Sequence, residues 1–206
     1  MILSIHPKDP EPRKIRSVVE KLLNGAVVIC PTDTVYAYVC SAHSARAIEE
    51  VARLKGIKPQ KADLSLICQD LSQLSTYAKA IDTASFRIMK KALPGPYTFI
   101  VPASNEIPKL FKNNKRTVGI RVPAHPIPLA LVKELGHPLV VASVHDPDKL
   151  VDYTTDPERI EEHLGHQVDL VIDGGIGGLE ASTVIDLANG EPVVLREGKG
   201  TLEGLF

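Results

Sequence analysis

Several polar segments of this chain follow apolar runs directly, and they supply mainly hydroxyl groups and cations. Residues 31–36 offer two threonine hydroxyls, a carboxylate and a phenol, and Arg121 stands inside the apolar run 119–123. Loops at strand ends commonly form ligand sites. Few of these side chains are acids or bases placed for proton transfer, whereas a polyphosphate site depends mostly on positioning and charge neutralisation. The pattern therefore favours a site for a polyphosphate ligand.

Two cations of this pattern, Lys55 and Arg121, have a structural explanation as well as a functional one. Lys55 ends a predicted helix, where a cation stabilises the helix dipole without any ligand. Arg121 must either pair or face a wet cavity, because burying its charge without a partner is costly. Ser143 and His145 close another apolar run, and Arg196 closes the last one. The functional explanation and the structural one both predict polar groups at strand ends.

Other motifs that carry chemistry are missing from the sequence. There is no GxxxxGK[ST] or GxGxxG loop for phosphates and no GxSxG hydrolase motif. The glycine-rich stretch 173–178 precedes no helical pattern, which favours a flexible loop over a phosphate cradle. The histidines and cysteines show no HExxH, HxH or CxxC spacing, so no metal site is predicted. His125 and His137 lie beside prolines, which predicts surface turns.

Length and composition predict one domain over residues 1–206. A chain of 206 residues with 44% hydrophobic side chains can bury a core without disulfides or metal. No run approaches the roughly 18 apolar residues of a membrane span, and residues 1–7 are too short for a signal peptide. Cys30, Cys40 and Cys68 show no pairing pattern. We therefore expect buried, reduced thiols in a cytoplasmic protein that does not bind membranes.

Charge is distributed unevenly along the chain. Residues 79–121 contain nine basic and two acidic side chains, a net charge of +7, whereas residues 145–206 contain four basic and fourteen acidic ones, a net charge of −10. Such an excess of positive charge can attract phosphates although the whole chain carries only −1. The alternative is a solvated helix face beside an acidic terminal region.

Apolar periodicity predicts alternating helices and strands, and thus a mixed α/β fold. Helices are predicted over 12–23, 44–54, 83–93, 128–135 and from 157. Strands are predicted over 26–30, 35–40, 64–68, 97–101, 117–122, 139–142 and 169–173. Segments 183–187 and 192–196, joined through Asn189 and Gly190, predict a hairpin, which argues against a purely parallel sheet.

Six motifs in order along the chain closely resemble the YrdC/YciO family. They are Pro-Thr-Asp-Thr-Val-Tyr at 31–36, Lys-Gly at 55–56, Leu-Pro-Gly-Pro-Tyr-Thr at 93–98, Gly-Ile-Arg-Val-Pro at 119–123, Ser-Thr-Val-Ile-Asp at 182–186 and Arg-Glu-Gly at 196–198. The resemblance implies a twisted mixed β-sheet curved around a basic cavity and flanked by helices. It also implies a link to the synthesis of threonylcarbamoyl-adenylate from ATP, L-threonine and bicarbonate, which serves the modification of tRNA, and to binding of double-stranded RNA or tRNA.

The chain departs from the synthases of that family at two positions. Those synthases carry Lys-x-Arg and Ser-x-Asn pairs; here Lys55 and Ser143 match, but Ile57 and His145 replace the Arg and the Asn. Lys58 supplies a charge one position further on, although a lysine cannot reproduce the bidentate fork of an arginine. Residues 63–67 lack the His of the synthases. The chain is most similar to the YciO branch.

The resemblance implies a role for each matching residue. Lys55 and Ser143 would be catalytic, and Mg²⁺ would accompany ATP instead of sitting in a protein cage. The side chains expected to bind nucleotide or substrate are Thr32, Thr34, Tyr36, Lys58, Arg121, His145, Ser182, Thr183 and Arg196. We favour a YciO-like protein that binds RNA or nucleotide in a basic cavity. An active nucleotidyltransferase that makes threonylcarbamoyl-adenylate, and a non-catalytic scaffold, remain the alternatives.

Overall fold

A computed structural model describes residues 1–56, 64–107, 116–144 and 152–206 of the chain. Its α-helices in these ranges are α1 (Pro12–Leu23), α2 (Ala45–Leu54), α3 (Leu71–Tyr77), α4 (Thr83–Ala92), α5 (Pro126–Leu135) and α6 (Pro157–Leu164). Its strands are β1 (Ile2–Ser4), β2 (Val28–Cys30), β3 (Ala37–Ser41), β4 (Ser65–Ile67), β5 (Tyr97–Pro102), β6 (Thr117–Arg121), β7 (Leu139–Ser143), β8 (Leu170–Asp173), β9 (Thr183–Asp186) and β10 (Val193–Arg196). Short 3-10 helices occupy Asp152–Thr155 and Gly165–Gln167.

Three predicted helix starts, those of α2, α4 and α6, are confirmed by their caps. The Ser44 side chain accepts a hydrogen bond from the Ala47 amide at the start of α2. Asp82 accepts from two amides at the start of α4, and Asp156 accepts from the Glu158 amide at the start of α6. Each cap satisfies an amide that has no partner within its own helix.

The strands of the described residues form one mixed sheet in the order β1-β8-β2-β3-β7-β4-β6-β5-β9-β10. Parallel pairs join β1 to β8, β8 to β2, β4 to β6 and β5 to β9, while the other neighbours are antiparallel. The predicted hairpin is the antiparallel pair β9–β10. A large, twisted, mixed sheet flanked by helices confirms the predicted fold class.

Helices cover the two faces of the sheet unequally. On the first face, α1 and α5 pack against β2, β3, β7 and β8 around a core that includes Val28, Leu131 and Leu170. On the second face, apolar residues of α2, α3, α4 and α6 pack along the sheet from β8 to β9. Strands β8, β2 and β3 and most of β7 are therefore covered on both faces, as is typical of buried strands.

Four sequence expectations differ from the structure. Strand β1 and helix α3 were not predicted, because β1 is short and its burial is partial, and α3 contains a polar run with one fully buried residue, Leu74. Helix α5 begins at Pro126, where the His125 side chain accepts from the Ile127 amide. His137 is buried and bonded to the hydroxyl of Ser41 at 2.8 Å, so its predicted surface position is wrong.

The three cysteines are buried and unpaired by disulfides, as expected. Burial raises the pKa of the Cys68 thiol to about 12, and it raises the pKa of Cys30 and Cys40 as well. Thiols held in the protonated form are poor nucleophiles. No helix in the described ranges is long and apolar enough to cross a membrane.

Candidate functional site

The register of strands β7, β4, β6, β5 and β9 separates an apolar face from a polar one. Leu66 lies opposite Ile120, which lies opposite Phe99, and all three are fully buried. The alternate positions point to the other face, where Ser65 lies opposite Gly119 and Ile67 lies opposite Arg121. The same alternation places Ser143, Ser65, Arg121 and Thr98 on this side of the sheet, which continues the face covered by α1 and α5 and which we call the polar face.

The polar face is partly accessible to solvent. Four of its residues are half-buried: Ser65, Gly119, Ile100 and Ser143. On the apolar side, Leu66, Ile120 and Phe99 are fully buried. A Cβ at residue 119 would lie 2.5 Å from the Ser65 hydroxyl, so a side chain there would displace Ser65. Because Gly119 has no side chain, the surface of β6 beside Arg121 and Ser65 stays uncovered.

Arg121 is held by the loop that follows β2, residues 31–36, which we call the threonine loop. Its Nη2 donates to Asp33 Oδ1 at 2.9 Å and to Thr34 Oγ1 at 3.0 Å. The other carboxylate oxygen of Asp33 accepts from the Ala124 amide at 2.9 Å. Thr32 Oγ1 lies 3.0 Å from Thr34 Oγ1 and donates to the Val35 carbonyl. The expectation that Arg121 pairs or faces a cavity is met by Asp33.

Arg121 keeps one unused donor although it is almost completely buried. Its side chain is 7% exposed and that of Asp33 is 8% exposed. Nε of Arg121 has no hydrogen-bond partner within the part of the chain that the structure describes. Burial lowers the pKa of the guanidinium; Asp33 raises it, and the nearby charge of Arg196 lowers it further. An arginine nevertheless stays protonated, so the site carries a buried cation with an unsatisfied N–H group.

A second group of polar side chains adjoins the first at the start of β9. The hydroxyls of Thr98 and Ser182 lie 2.8 Å apart, and both residues are buried. Arg196 donates through Nε and Nη2 to the Ser182 carbonyl, at 3.1 and 2.9 Å. The charge of Arg196 acts on Arg121. The structure therefore brings together two guanidinium groups with the hydroxyls of residues 34, 98 and 182.

Two predicted site residues instead hold loops in place. The Tyr36 hydroxyl donates to the Gly175 carbonyl at 2.7 Å and accepts from the Gly174 amide. Burial raises the pKa of this phenol. Thr183 is fully buried, donates to the Gly200 carbonyl at 2.6 Å and accepts from the Gly198 amide. Their positions favour structural roles beside the site.

The glycine loop, residues 174–178, packs against the threonine loop. The Gly178 amide donates to the Thr34 carbonyl at 3.0 Å, and a Cβ at Gly178 would lie 2.3 Å from that oxygen. A Cβ at Gly177 would lie 2.7 Å from the Tyr36 ring. Close packing of two loops accounts for these two glycines.

The two residues predicted to be catalytic lie on different elements. Ser143 ends β7 opposite Ala37, and the next amide, of Val144, donates to the Tyr36 carbonyl, which places Ser143 beside the threonine loop. Lys55 is the C-cap of α2, a helix that packs against β3. The predicted site residues Lys58 and His145, and Ile57, lie outside the described residues.

Asp33 and Thr98 were not among the predicted site residues. Both stand inside motifs that were recognised, at 31–36 and 93–98, so the motifs contained the signal. What the sequence did not reveal is that Asp33 meets Arg121 across 88 positions of the chain.

A cavity of about 650 Å³ lies elsewhere, between α1, α2 and the 3-10 helix at Gly165–Gln167. Its lining includes Lys21, Arg46 and Asp169 and none of the polar-face residues. Within the described ranges, no three His, Cys, Asp or Glu residues are grouped so that they could hold a metal ion. Among the described residues, Arg121, Arg196 and the hydroxyls beside them lie on or next to the polar face, whereas Lys55 lies at the end of α2.

Fold and site together define an α/β protein in which a mixed sheet presents the buried guanidinium of Arg121, the exposed guanidinium of Arg196 and several hydroxyls at the ends of its strands. Residues 20–198 match the model of the Sua5, YciO and YrdC family, which is described as telomere recombination. The chain belongs to this family.

The most similar proteins narrow the relationship. An uncharacterized protein of Haemophilus influenzae is 42% identical over 96% of this chain and 95% of its own length. Escherichia coli YciO is 41% identical in sequence, and its crystal structure matches 100% of this chain and 99% of that chain with a TM-score of 0.91. A Pyrococcus abyssi threonylcarbamoyl-AMP synthase is 32% identical over 92% of this chain but only 55% of its own length.

A solved Pyrococcus abyssi structure, Sua5 complexed with L-threonine, matches 96% of this chain and 57% of that chain with a TM-score of 0.86 and 30% identity. The chain is thus a YciO-like member of the family and a more distant relative of the Sua5 threonylcarbamoyl-AMP synthases.

Proposed function

We propose that this protein binds the polyphosphate of ATP on the polar face, between Arg121, Arg196 and the surrounding hydroxyls. Phosphate oxygens are strong acceptors that suit guanidinium and hydroxyl donors. The binding energy would come from charge neutralisation by groups that the fold already holds in place.

The observation that carries this proposal is the unsatisfied Nε of Arg121. A buried N–H group without a partner costs roughly 1–3 kcal/mol, and a phosphate oxygen would relieve that cost. The Nη2 side of the same guanidinium is fixed by Asp33 and Thr34, so the group does not have to be ordered when a ligand arrives.

We propose further that synthase activity, which would join ATP, L-threonine and bicarbonate into threonylcarbamoyl-adenylate, is weak. Lys55 and Ser143 match the pairs of the synthases, but Ile57 and His145 remove a guanidinium and an amide. Isoleucine has no polar group, and Lys58 offers only a point charge. L-threonine is included among the proposed substrates because the related Pyrococcus abyssi Sua5 structure is a complex with L-threonine. Mg²⁺ would arrive with ATP, bound mainly to phosphate oxygens and water.

Titration calorimetry with Mg-ATP tests the binding proposal. Arg121→Lys keeps a positive charge for Asp33 but removes Nε and the planar fork, so we expect affinity to fall roughly tenfold or more. Arg53→Lys is the matched control, because Arg53 pairs with Glu50 on the exposed side of α2. Equal affinity of wild type and Arg121→Lys, at unchanged folding, would refute the proposal, as would a wild type that does not bind Mg-ATP at millimolar concentration.

A product assay tests the second part. Protein, ATP, L-threonine and bicarbonate are incubated, and pyrophosphate and threonylcarbamoyl-adenylate are quantified. We expect a slow wild type and a faster Ile57→Arg plus His145→Asn variant, because that variant restores the fork and the amide. A wild type as fast as the Vibrio vulnificus or Pyrococcus abyssi synthase assayed beside it, or no gain in the variant, would contradict the argument.

RNA binding is a second candidate function, favoured by the charge excess of residues 79–121. Arg87, Lys90 and Lys91 are exposed on α4, and Arg116 is exposed before β6. The predicted contacts Lys109, Lys112 and Lys115 lie outside the described residues. A double-stranded RNA would meet these cations through phosphates, with affinity that falls steeply with salt.

Salt titration of binding to a double-stranded RNA tests this candidate. Replacing Lys112, Lys115 and Arg116 with Gln should flatten the log–log salt slope by about two to three units, since each duplex phosphate contact contributes roughly −0.9. Gln at Lys8, Arg13 and Arg16 removes three exposed cations elsewhere and should change the slope little. Equal slopes for both triple variants would dismiss RNA binding through this region.

A further inference from the structure

The last ten residues of the chain are anchored to the start of β9, directly beside the polar face. The Lys199 amide donates to the Ala181 carbonyl at 2.9 Å, and the Tyr97 hydroxyl donates to the Thr201 carbonyl at 2.8 Å. Leu205 is 5% exposed and belongs to the core under the sheet. The backbone of this C-terminal segment, residues 197–206, is therefore fixed at several points.

Two glycines let the C-terminal segment pack closely against Ala181 and Tyr97. A Cβ at Gly198 would lie 2.3 Å from the Ala181 carbonyl oxygen, and a Cβ at Gly200 would lie 2.4 Å from the Tyr97 ring. These distances are shorter than any real Cβ contact, so larger residues would push the segment away. The glycines on both sides bring Lys199 to the edge of the site.

The side chain of Lys199 crosses from this segment to the threonine loop. Its ammonium group donates to the Asp33 carbonyl oxygen at 2.6 Å. The carboxylate of the same Asp33 accepts from Arg121 and from the Ala124 amide. Asp33 is therefore held at its carbonyl by the C-terminal segment and at its side chain by β6 and the residues after it.

We propose that Lys199 is a positioning residue of the nucleotide site, which fixes the threonine loop and through it the Asp33–Arg121 pair. The role rests on the proposed nucleotide site, and Lys199 itself need not touch the ligand. The family model ends at residue 198, and none of the six motifs includes this lysine. A loop that is fixed in advance binds its ligand at a lower entropic cost.

Lys91 of α4 provides a matched control, because it contacts the same C-terminal segment. Its ammonium group also donates to a backbone carbonyl there, that of Gly204, at 3.4 Å. Both lysines are exposed, so neither substitution opens the core. Only Lys199 reaches a residue that contacts Arg121.

The test measures loop exchange and ligand affinity separately. Hydrogen exchange of the ligand-free protein is followed in the peptide that covers residues 31–36, and Mg-ATP affinity is measured by calorimetry. We expect Lys199→Met to speed loop exchange at least fivefold and to weaken Mg-ATP binding roughly tenfold. Lys199→Arg and Lys199→Gln keep an N–H donor and should recover most of both losses, whereas Lys91→Met should match wild type.

Unchanged loop exchange in Lys199→Met would overturn the positioning role, whatever the affinity. Faster exchange with unchanged Mg-ATP affinity would overturn the link between the loop and the site. If the wild type does not bind Mg-ATP, the proposed function fails, and the exchange measurement still decides whether Lys199 fixes the loop.

Discussion

The two halves of the sheet are built differently although they are one continuous structure. In the part of the sheet formed by β8, β2, β3 and most of β7, both sides are covered, with Val28 and Cys30 facing α1 and α5, and Ile29 facing the other core. From β4 to β9 one side is apolar, whereas the other carries Ser65, Arg121 and neighbouring hydroxyls beside the buried Ile67. We call these the filled half and the polar half.

The difference shows how the fold supports a charged site. A buried guanidinium costs free energy unless its surroundings hold its partners in place. The filled half supplies the apolar burial that stabilises the fold, and the threonine loop that leaves its β2 strand carries Asp33 across to Arg121. The polar half can therefore keep an unsatisfied donor without unfolding.

The largest effect is expected from Arg121→Met in the polar half. The substitution leaves the Asp33 carboxylate buried without its cation, and breaking a buried pair in this way typically costs about 3–5 kcal/mol. Urea unfolding at neutral pH measures the loss. Arg53→Ala, which removes an exposed pair, should leave the midpoint unchanged, and Asp33→Asn should recover part of the loss when combined with Arg121→Met. A midpoint like that of wild type would mean that the pair does not hold the loop.

A core truncation in the filled half should separate stability from binding. Leu131→Ala removes a fully buried side chain from α5 and should lower the free energy of unfolding by about 2–5 kcal/mol. Mg-ATP affinity of the folded variant should stay within a factor of two of wild type. Leu23→Ala, at a position that is 61% exposed, is the control for stability. A large loss of affinity in Leu131→Ala would mean that the two halves are not separable.

His137, which bonds Ser41 at the end of β3, should make the stability of the protein depend on pH. His137 stacks on His43 with ring centroids 3.8 Å apart, and burial, together with the neighbouring His43, lowers the pKa of His137 from 6.5 to about 4. The unfolded chain then takes up the proton first, so stability is complete above pH 6.5 and declines as the pH falls toward 4. His137→Gln should flatten this decline in urea titrations between pH 4 and 7. An equal decline in both proteins would assign it to other groups.

The smallest effect is expected from a helix cap. Ser44→Ala removes the acceptor for the Ala47 amide and should cost about 1 kcal/mol without changing Mg-ATP affinity. Thermal unfolding measures this cost, and Ser44→Asp, which restores an acceptor, should recover it. A shift in affinity would show that α2, which leads to Lys55, transmits strain to the site.

Local patterns predicted most of the fold. The stripe of Ile15, Val18, Val19 and Leu22 gave α1 with its observed bounds, because a helix places residues three and four apart on one side. The same reasoning failed for β1, whose three residues gain their place by pairing with β8, far along the chain. It also failed for His137, whose neighbouring proline indicated a turn but not its burial.

The candidate site was predictable as a set of segments but not as a set of contacts. Polar groups after apolar runs predicted the threonine loop, Arg121 and Arg196, and the family motif at 182–186 predicted Ser182. That Tyr36 binds the glycine loop and that Lys199 reaches Asp33 depends on how distant segments pack, which no local spacing encodes. Local spacing along the sequence predicts the elements that stabilise the fold, whereas the contacts of the candidate site join residues that are far apart in the sequence.

Hydrogen exchange of the whole protein with and without Mg-ATP tests the central claim most directly, since it reports on both halves at once. The claim predicts slower exchange in peptides that cover the threonine loop, β6 and residues 180–199. It predicts no change in β1, in α1, or around the cavity lined by Lys21 and Arg46. Protection confined to that cavity, or protection nowhere at saturating Mg-ATP, would contradict the assignment of the polar face as the nucleotide site.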